Sequence, residues 1–217
     1  MTPLAGLATL AAVVGGAPLG YVCSRTASPL KIDGRLDDAA WRDAPWTADF
    51  VDIEGDARPR PSLRTRAKML WDDEYFYVGA ELEEPHLWAT LTKHDSVIFQ
   101  DNDFEVFIDP NGDSHEYYEF EINALGTGWD LLLPWPYKDG GKAVHNWEIP
   151  GLKSAVHLDG TLNEANDVDR GWSVELAFPW AALREVARWW VERASNLSLP
   201  TLDWEAIATA LGSVRAL

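Results

Sequence analysis

Apolar and polar residues alternate with period two through the middle of the chain. In DNDFEVFID, Phe104, Val106 and Ile108 share one face of a strand, while Asp103, Glu105, Phe107 and Asp109 share the other. In EYYEFEIN, Tyr118, Phe120 and Ile122 lie together, and Tyr117, Glu119, Glu121 and Asn123 point the opposite way. This period predicts strands over about 103–109, 116–124, 128–133, 152–158 and 171–178, each bounded by Gly, Pro, Asn or Asp clusters. RTRAKMLWDDEYFYVGAEL alternates, breaks at Asp72-Asp73-Glu74 and resumes, which is a hairpin pattern. Ahead of it, KIDGRLDDAAWRDA reads as a strand end at Ile32, a turn at Asp33-Gly34, and a short helix capped by Asp37 with Trp41 facing inward. Strands of this number, without long intervening helices, predict an all-β fold: an antiparallel β-sandwich of immunoglobulin-like or jelly-roll type.

The period changes at both ends. From Trp180, WAALREVARWWVERA places Trp180, Leu183, Val186 or Ala187, Trp190 and Val191 at helical spacing, and a second helix-like pattern begins near Asp203. Leu4 to Leu19 carries no charge and has the small-apolar character of a signal-peptide core, although no Lys or Arg precedes it. It is too short for a comfortable membrane span. The expected organisation is an apolar leader or atypical signal segment over 1–20, a sandwich over 21–183, and a divergent helical tail over 184–217.

Composition narrows the partners. At 217 residues one domain with a real core is expected. Eighteen basic against 35 acidic residues give a net charge of −17, which disfavours nucleic acid and anionic membrane surfaces. Cys23 stands alone, so no internal disulfide forms. Twelve tryptophans are a heavy load whose indole N–H groups need partners, so some are expected on a surface or in a groove.

A sheet face bearing carboxylates and edged by rings suits a hydroxyl-rich ligand, because carboxylates accept charge-assisted hydrogen bonds and rings cover the apolar faces of sugars. An ordinary solvated sheet face shows the same alternation. In GTGWDLLLPWPYKDGG, Trp129, Trp135 and Tyr137 form either a sugar platform stiffened by Pro134 and Pro136, or a core tryptophan with two rings covering a sheet edge. Glu105 and Glu121 on neighbouring strands have the reach for glycoside hydrolysis, but the pattern shows no apolar pocket to keep one of them protonated. Asp109, Asn111 and Asp113 begin a calcium-loop spacing that stops there, with Ser114 at the sharp-turn position and Phe120 where a bidentate Glu would stand. The five histidines show no zinc-ligand spacing and read as surface residues. Met69 reads as a core filler rather than a haem ligand.

Taken in order, KIDGRLDDAAW, KMLWDDEYFYVGAEL, DNDFEVFIDP, YYEFEINALGTGWD and GWSVELAFPWAAL resemble the carbohydrate-binding family 9 domain over about residues 21–183. The resemblance implies a sandwich that binds polysaccharide or oligosaccharide ends without cleaving them. It implies no cofactor, structural calcium at most, and a secreted or periplasmic location beside a companion glycoside hydrolase. A ligand-free accessory domain and a hydrolase using paired carboxylates are the competing readings. In the family pattern the sugar is clamped between two rings. Phe99 matches the first ring, Glu105 the strand glutamate, and Glu119, Glu121 and Asn123 the polar positions of the next strand. Glu121 stands where the sugar-binding pattern is basic, turning a donor into an acceptor. The strands that would bring the second ring have no counterpart: either another segment replaces them, or the natural frame is lost after about Arg188. Trp189, Trp190 and Trp204 are the tail rings that would have to fill that place.

Overall fold

A computed structural model of the chain describes residues 20–184. The chain is helical over 180–184, where the expected tail helix begins; the rest of that helix, the second helical pattern, the tail tryptophans and residues 1–19 of the leader lie outside the described residues.

Eight strands form two sheets. The larger contains β1 (Ser24–Arg25), β2 (Thr65–Trp71), β3 (Tyr75–Glu83), β7 (Lys153–Asp159) and β8 (Gly171–Pro179), in the order β1-β2-β3-β8-β7. The smaller is β4 (Asp103–Ile108), β5 (Tyr117–Asn123) and β6 (Gly128–Leu133), with β5 in the centre. All pairings are antiparallel except β1 with β2. The fold is therefore the β-sandwich that the alternation predicts. The five strands expected from the period appear within one or two residues of their expected bounds.

The core lies between the sheets. Phe104, Val106, Ile108, Tyr118, Phe120 and Ile122 face Met69, Phe76, Val78, Val174, Leu176 and Phe178, all of them buried. Phe120 meets Phe178 edge-on across the sandwich, ring centroids 6.1 Å apart. Met69 sits among these apolar neighbours, as a core filler does.

The outer face of the large sheet is covered by the segment that precedes it. Helix α1 (Ala39–Asp43) puts Trp41 on Leu70, Tyr77 and Ala177, with Leu30, Ile32 and Leu36 around it. No strand ends at Ile32, because this segment crosses the sheet as a covering layer rather than pairing at its edge. The helix cap is Asp38 rather than Asp37, and its carboxylate accepts from the Lys31 N–H instead of from the helix.

One carboxylate locks this layer. Glu175 of β8, fully buried, accepts from the Asp33 and Gly34 N–H groups at 2.8 Å each and from the Trp41 indole at 2.7 Å. Gly34 has φ +83°, and a Cβ there would lie 2.4 Å from the Val156 carbonyl carbon, so only glycine fits the turn. Gly79 leaves room for the layer, since a Cβ would meet Leu36 at 2.6 Å and Trp41 at 3.2 Å. The phrases KIDGRLDDAAW and GWSVEL thus make one buried joint. The hairpin break does similar work: Asp72 accepts from the Glu74 and Tyr75 N–H groups and the Tyr77 hydroxyl, and its carbonyl accepts from the Trp180 indole.

Candidate functional site

The polar face of the small sheet is half covered. On β5, Glu119, Glu121 and Asn123 are buried, at 4%, 1% and 0% exposure, although alternation alone reads them as solvated. Opposite them on β6, Trp129 pairs with Glu121 and Leu131 with Glu119. Those two apolar residues join Leu133 and Ile98, with Leu91, Tyr117 and Ala143, in a second small core outside the sandwich. The 3-10 turn Ile98–Gln100 and the loop after Leu133 supply its cover. On the β4 side the face stays open, and Glu105, directly opposite Glu121, is exposed.

Two rings are fixed to this face through its carboxylates. Glu121 accepts from the Phe99 N–H at 3.0 Å, and the Phe99 ring, 59% exposed, lies 6.2 Å from buried Trp129. Glu119 accepts from the Tyr137 hydroxyl at 2.7 Å, and Tyr137 is 51% exposed. Glu119 and Glu121 are two positions apart on one strand face, about 7 Å along it. Trp129 is further sandwiched by His145, stacked at 5.4 Å.

The carboxylates crowd one another. Ligand oxygens of Asp103, Glu105 and Glu121 lie within 4.8 Å of each other, and one Asp103 oxygen is buried without a hydrogen-bond partner among the described residues. Loss of water and then repulsion from its acidic neighbours push Glu121 up to about 8 and Asp103 up to about 7. Glu119 is pushed up to about 6 by burial, against the opposing pull of the Tyr137 bond. Partial loss of water among the neighbouring side chains raises Glu105 as well. The expectation that nothing here keeps a carboxyl protonated is therefore corrected: the covering layer and the neighbouring acids do so together.

Other expected site residues divide. Asn123 is withdrawn as a ligand group. Its amide donates to the Leu91 carbonyl and Asp101, and its oxygen accepts from the Leu125 and Thr127 N–H groups, so it builds the β5–β6 turn. Trp129 is the buried member of its aromatic trio, underlying Phe99 rather than offering a face to solvent. Trp135 is 47% exposed on the same loop as Tyr137. In the turn of Asp109, Asn111 and Asp113, Asp109 accepts from the Asn111, Gly112 and Ser114 N–H groups, and the Asn111 amide donates to Asp113.

Sequence reasoning overlooked one cluster. His94, Asp130 and Glu148 bring ligand atoms within 4.8 Å of one another from three separate segments. Their wide separation along the chain leaves no spacing to read. A groove also lies over the large sheet between Leu36, Arg64, Glu83 and Arg170. Two charge pairs line it, Arg64 with Glu83 at 3.0 Å and Arg170 with Asp159 at 3.6 Å, and no exposed ring does.

Comparison with known proteins places the chain. An exoglucanase, XynX, of Acetivibrio thermocellus is 30% identical over 152 residues, covering 70% of this chain and 12% of that protein. Endo-1,4-beta-xylanase A of Thermoanaerobacterium saccharolyticum is 28% identical over 152 residues, covering 70% of this chain and 11% of the relative. The chain thus spans about an eighth of the curated relatives it matches. Among solved structures, a family 9 carbohydrate-binding module from Caldicellulosiruptor kristjanssonii in complex with glucose superposes with TM-score 0.50 at 19% identity, over 74% of this chain and 69% of that one, a likeness of fold. The family model for carbohydrate family 9 binding domain-like proteins matches residues 32–191, which takes in both the Glu175 joint and the acidic face. On that match the chain belongs to the carbohydrate family 9 binding domain-like family.

Proposed function

We propose that this domain binds the end of a plant-type polysaccharide on the open half of the acidic face and does not cleave it. The observation that carries this reading is the pair of exposed rings, Phe99 and Tyr137, each tied to a neighbouring carboxylate of β5. Rings held at fixed positions beside hydrogen-bonding groups match a sugar, whose faces are apolar and whose rim is hydroxyl. Tyr137 takes the place of the second ring, which the family pattern draws from later strands. Glu105 accepts from sugar hydroxyls. Glu121 anchors the Phe99 backbone from beneath, and Glu119 holds Tyr137 in position. Trp129 supports Phe99 from below, and Trp135 extends the loop surface.

The names of the curated relatives, an exoglucanase and an endo-xylanase, support glucan or xylan chains as ligands and a companion glycoside hydrolase outside the cell. The glucose bound to the Caldicellulosiruptor module supports recognition of a single terminal sugar. A stacked ring and a solvent-facing hydrogen bond each contribute about 1 kcal/mol net, so affinity is modest.

Calorimetric titration of the full chain with cello- and xylo-oligosaccharides, beside an assay for released reducing ends, tests the reading. Binding without product is expected, with Phe99→Ala and Tyr137→Ala each weakening it about fivefold to tenfold. Product formation that Glu105→Gln abolishes would replace the reading with a hydrolase. No heat with any sugar would leave the ligand-free domain.

A further inference from the structure

We infer that His94, Asp130 and Glu148, with Asp95 beside them, form a site for a divalent transition ion of the zinc class, which ties two loops to β6. The imidazole Nε2 of His94 lies 3.3 Å from a Glu148 oxygen and 3.4 Å from an Asp95 oxygen. Those separations match the edge of a tetrahedron built on metal bonds of about 2.0–2.2 Å, which is roughly 3.3–3.5 Å. Asp130 completes the set from beneath. It is 3% exposed, and one of its oxygens is oriented by the Ile149 N–H at 2.7 Å. That bond is the kind of outer contact that holds a ligating carboxylate in place.

The charge balance favours a cation. Three carboxylates meet one imidazole, and among the described residues no lysine or arginine forms an ion pair with any of them. Even with His94 protonated the cluster is left with two excess negative charges. With the imidazole neutral, as a metal ligand requires, the carboxylates carry three negative charges, and one divalent ion offsets two of them. A nitrogen donor among carboxylates selects zinc, cobalt or nickel over calcium, which takes oxygen alone.

The placement gives the ion a structural task. Asp130 follows Trp129 on β6, and Glu148 lies three residues beyond His145, which stacks on Trp129. The 93–95 segment is joined to the start of β6 through the Asp95 N–H and the Gly128 carbonyl. An ion here would fasten both loops around the ring that supports Phe99, without itself meeting a sugar.

The test uses the chelator-treated full chain and needs no carbohydrate, so its result is separate from that of the binding reading. Zinc chloride in about 100-fold excess over Kd should raise Tm by about 5–10 °C, while calcium chloride leaves it unchanged. His94→Ala and Glu148→Gln, both at exposed side chains, should fold with the metal-free Tm of the parent. Each should lose at least about tenfold in zinc affinity. His115→Ala combined with His157→Ala should respond as the parent does. Cobalt gives a second readout: visible ligand-field absorption in the parent and its loss in His94→Ala. A zinc response unchanged by His94→Ala, a response to calcium alone, or no response to zinc or cobalt would overturn the assignment.

Discussion

Glu121 faces Glu105 across one strand boundary, has Glu119 two positions away, and is sealed from water by Ile98 and Trp129. It accepts from the Phe99 N–H. A carboxyl whose folded pKa exceeds its unfolded value binds more protons in the folded state. The stability it contributes is complete below the unfolded value near 4 and is lost as pH rises through the folded one. With Glu119, Asp103 and Glu121 pushed up to about 6, 7 and 8, thermal stability should decline from about pH 5 to about pH 8.5. Across this range Asp101 stays ionised, because its hydrogen bonds outweigh burial and hold it low, and Tyr137 stays neutral, because burial and its bond to Glu119 push it far up. Glu121→Gln should flatten the decline in melting curves taken across that range and leave the protein at least as stable as the parent at the alkaline end. A parent curve that rises with pH would refute the argument. The acid identities were readable in the sequence. Their burial was not, because period two separates the two faces of a strand but does not tell whether anything covers the outer one.

At the scale of elements, the covering layer of residues 30–44 depends on β8 through one residue. Without the Glu175 carboxylate, two backbone N–H groups and an indole N–H would be left buried and unpaired. Glu175→Ala should therefore cost about 3 kcal/mol in urea unfolding, and Glu175→Gln less, since an amide oxygen still accepts. Equal and negligible losses would mean that the layer is held by Trp41 and Leu36 packing alone. The motif IDG followed by Trp was legible as turn and helix. That it closes on a glutamate 141 positions beyond Gly34 was not, since sequence separation hides a contact made only when β8 lies over the turn. Asn123 gives the converse case: its polar type and strand position invited a ligand role, but its four bonds are all used in the β5–β6 turn and the Asp101 loop.

For the molecule as a whole, stability rests on the seam between sheets, where Phe120 and Phe178 interlock at 2% and 0% exposure. Phe178→Ala should lower unfolding free energy by about 3–5 kcal/mol. Because both sheets share this seam, the described domain should still unfold in one transition, monitored by tryptophan fluorescence and far-UV dichroism. Separate transitions for the two probes would show that the sheets are independent. The surplus of acid over base sets the outer behaviour, and the same surplus gathers at two places, the open half of the small sheet and the His94 cluster.

Alternation, turn residues and glycine placement are local properties, and the sequence by itself determined the strands, the two-sheet architecture and the family to which the chain belongs. Tertiary structure decided which polar residues meet. It buried Glu121 under Ile98, brought Tyr137 to Glu119, and gathered His94, Asp130 and Glu148 from three segments. Each of these depends on a loop folding back onto a sheet. Loop paths are set by the distant surfaces they cover, and those surfaces do not exist until the strands have paired.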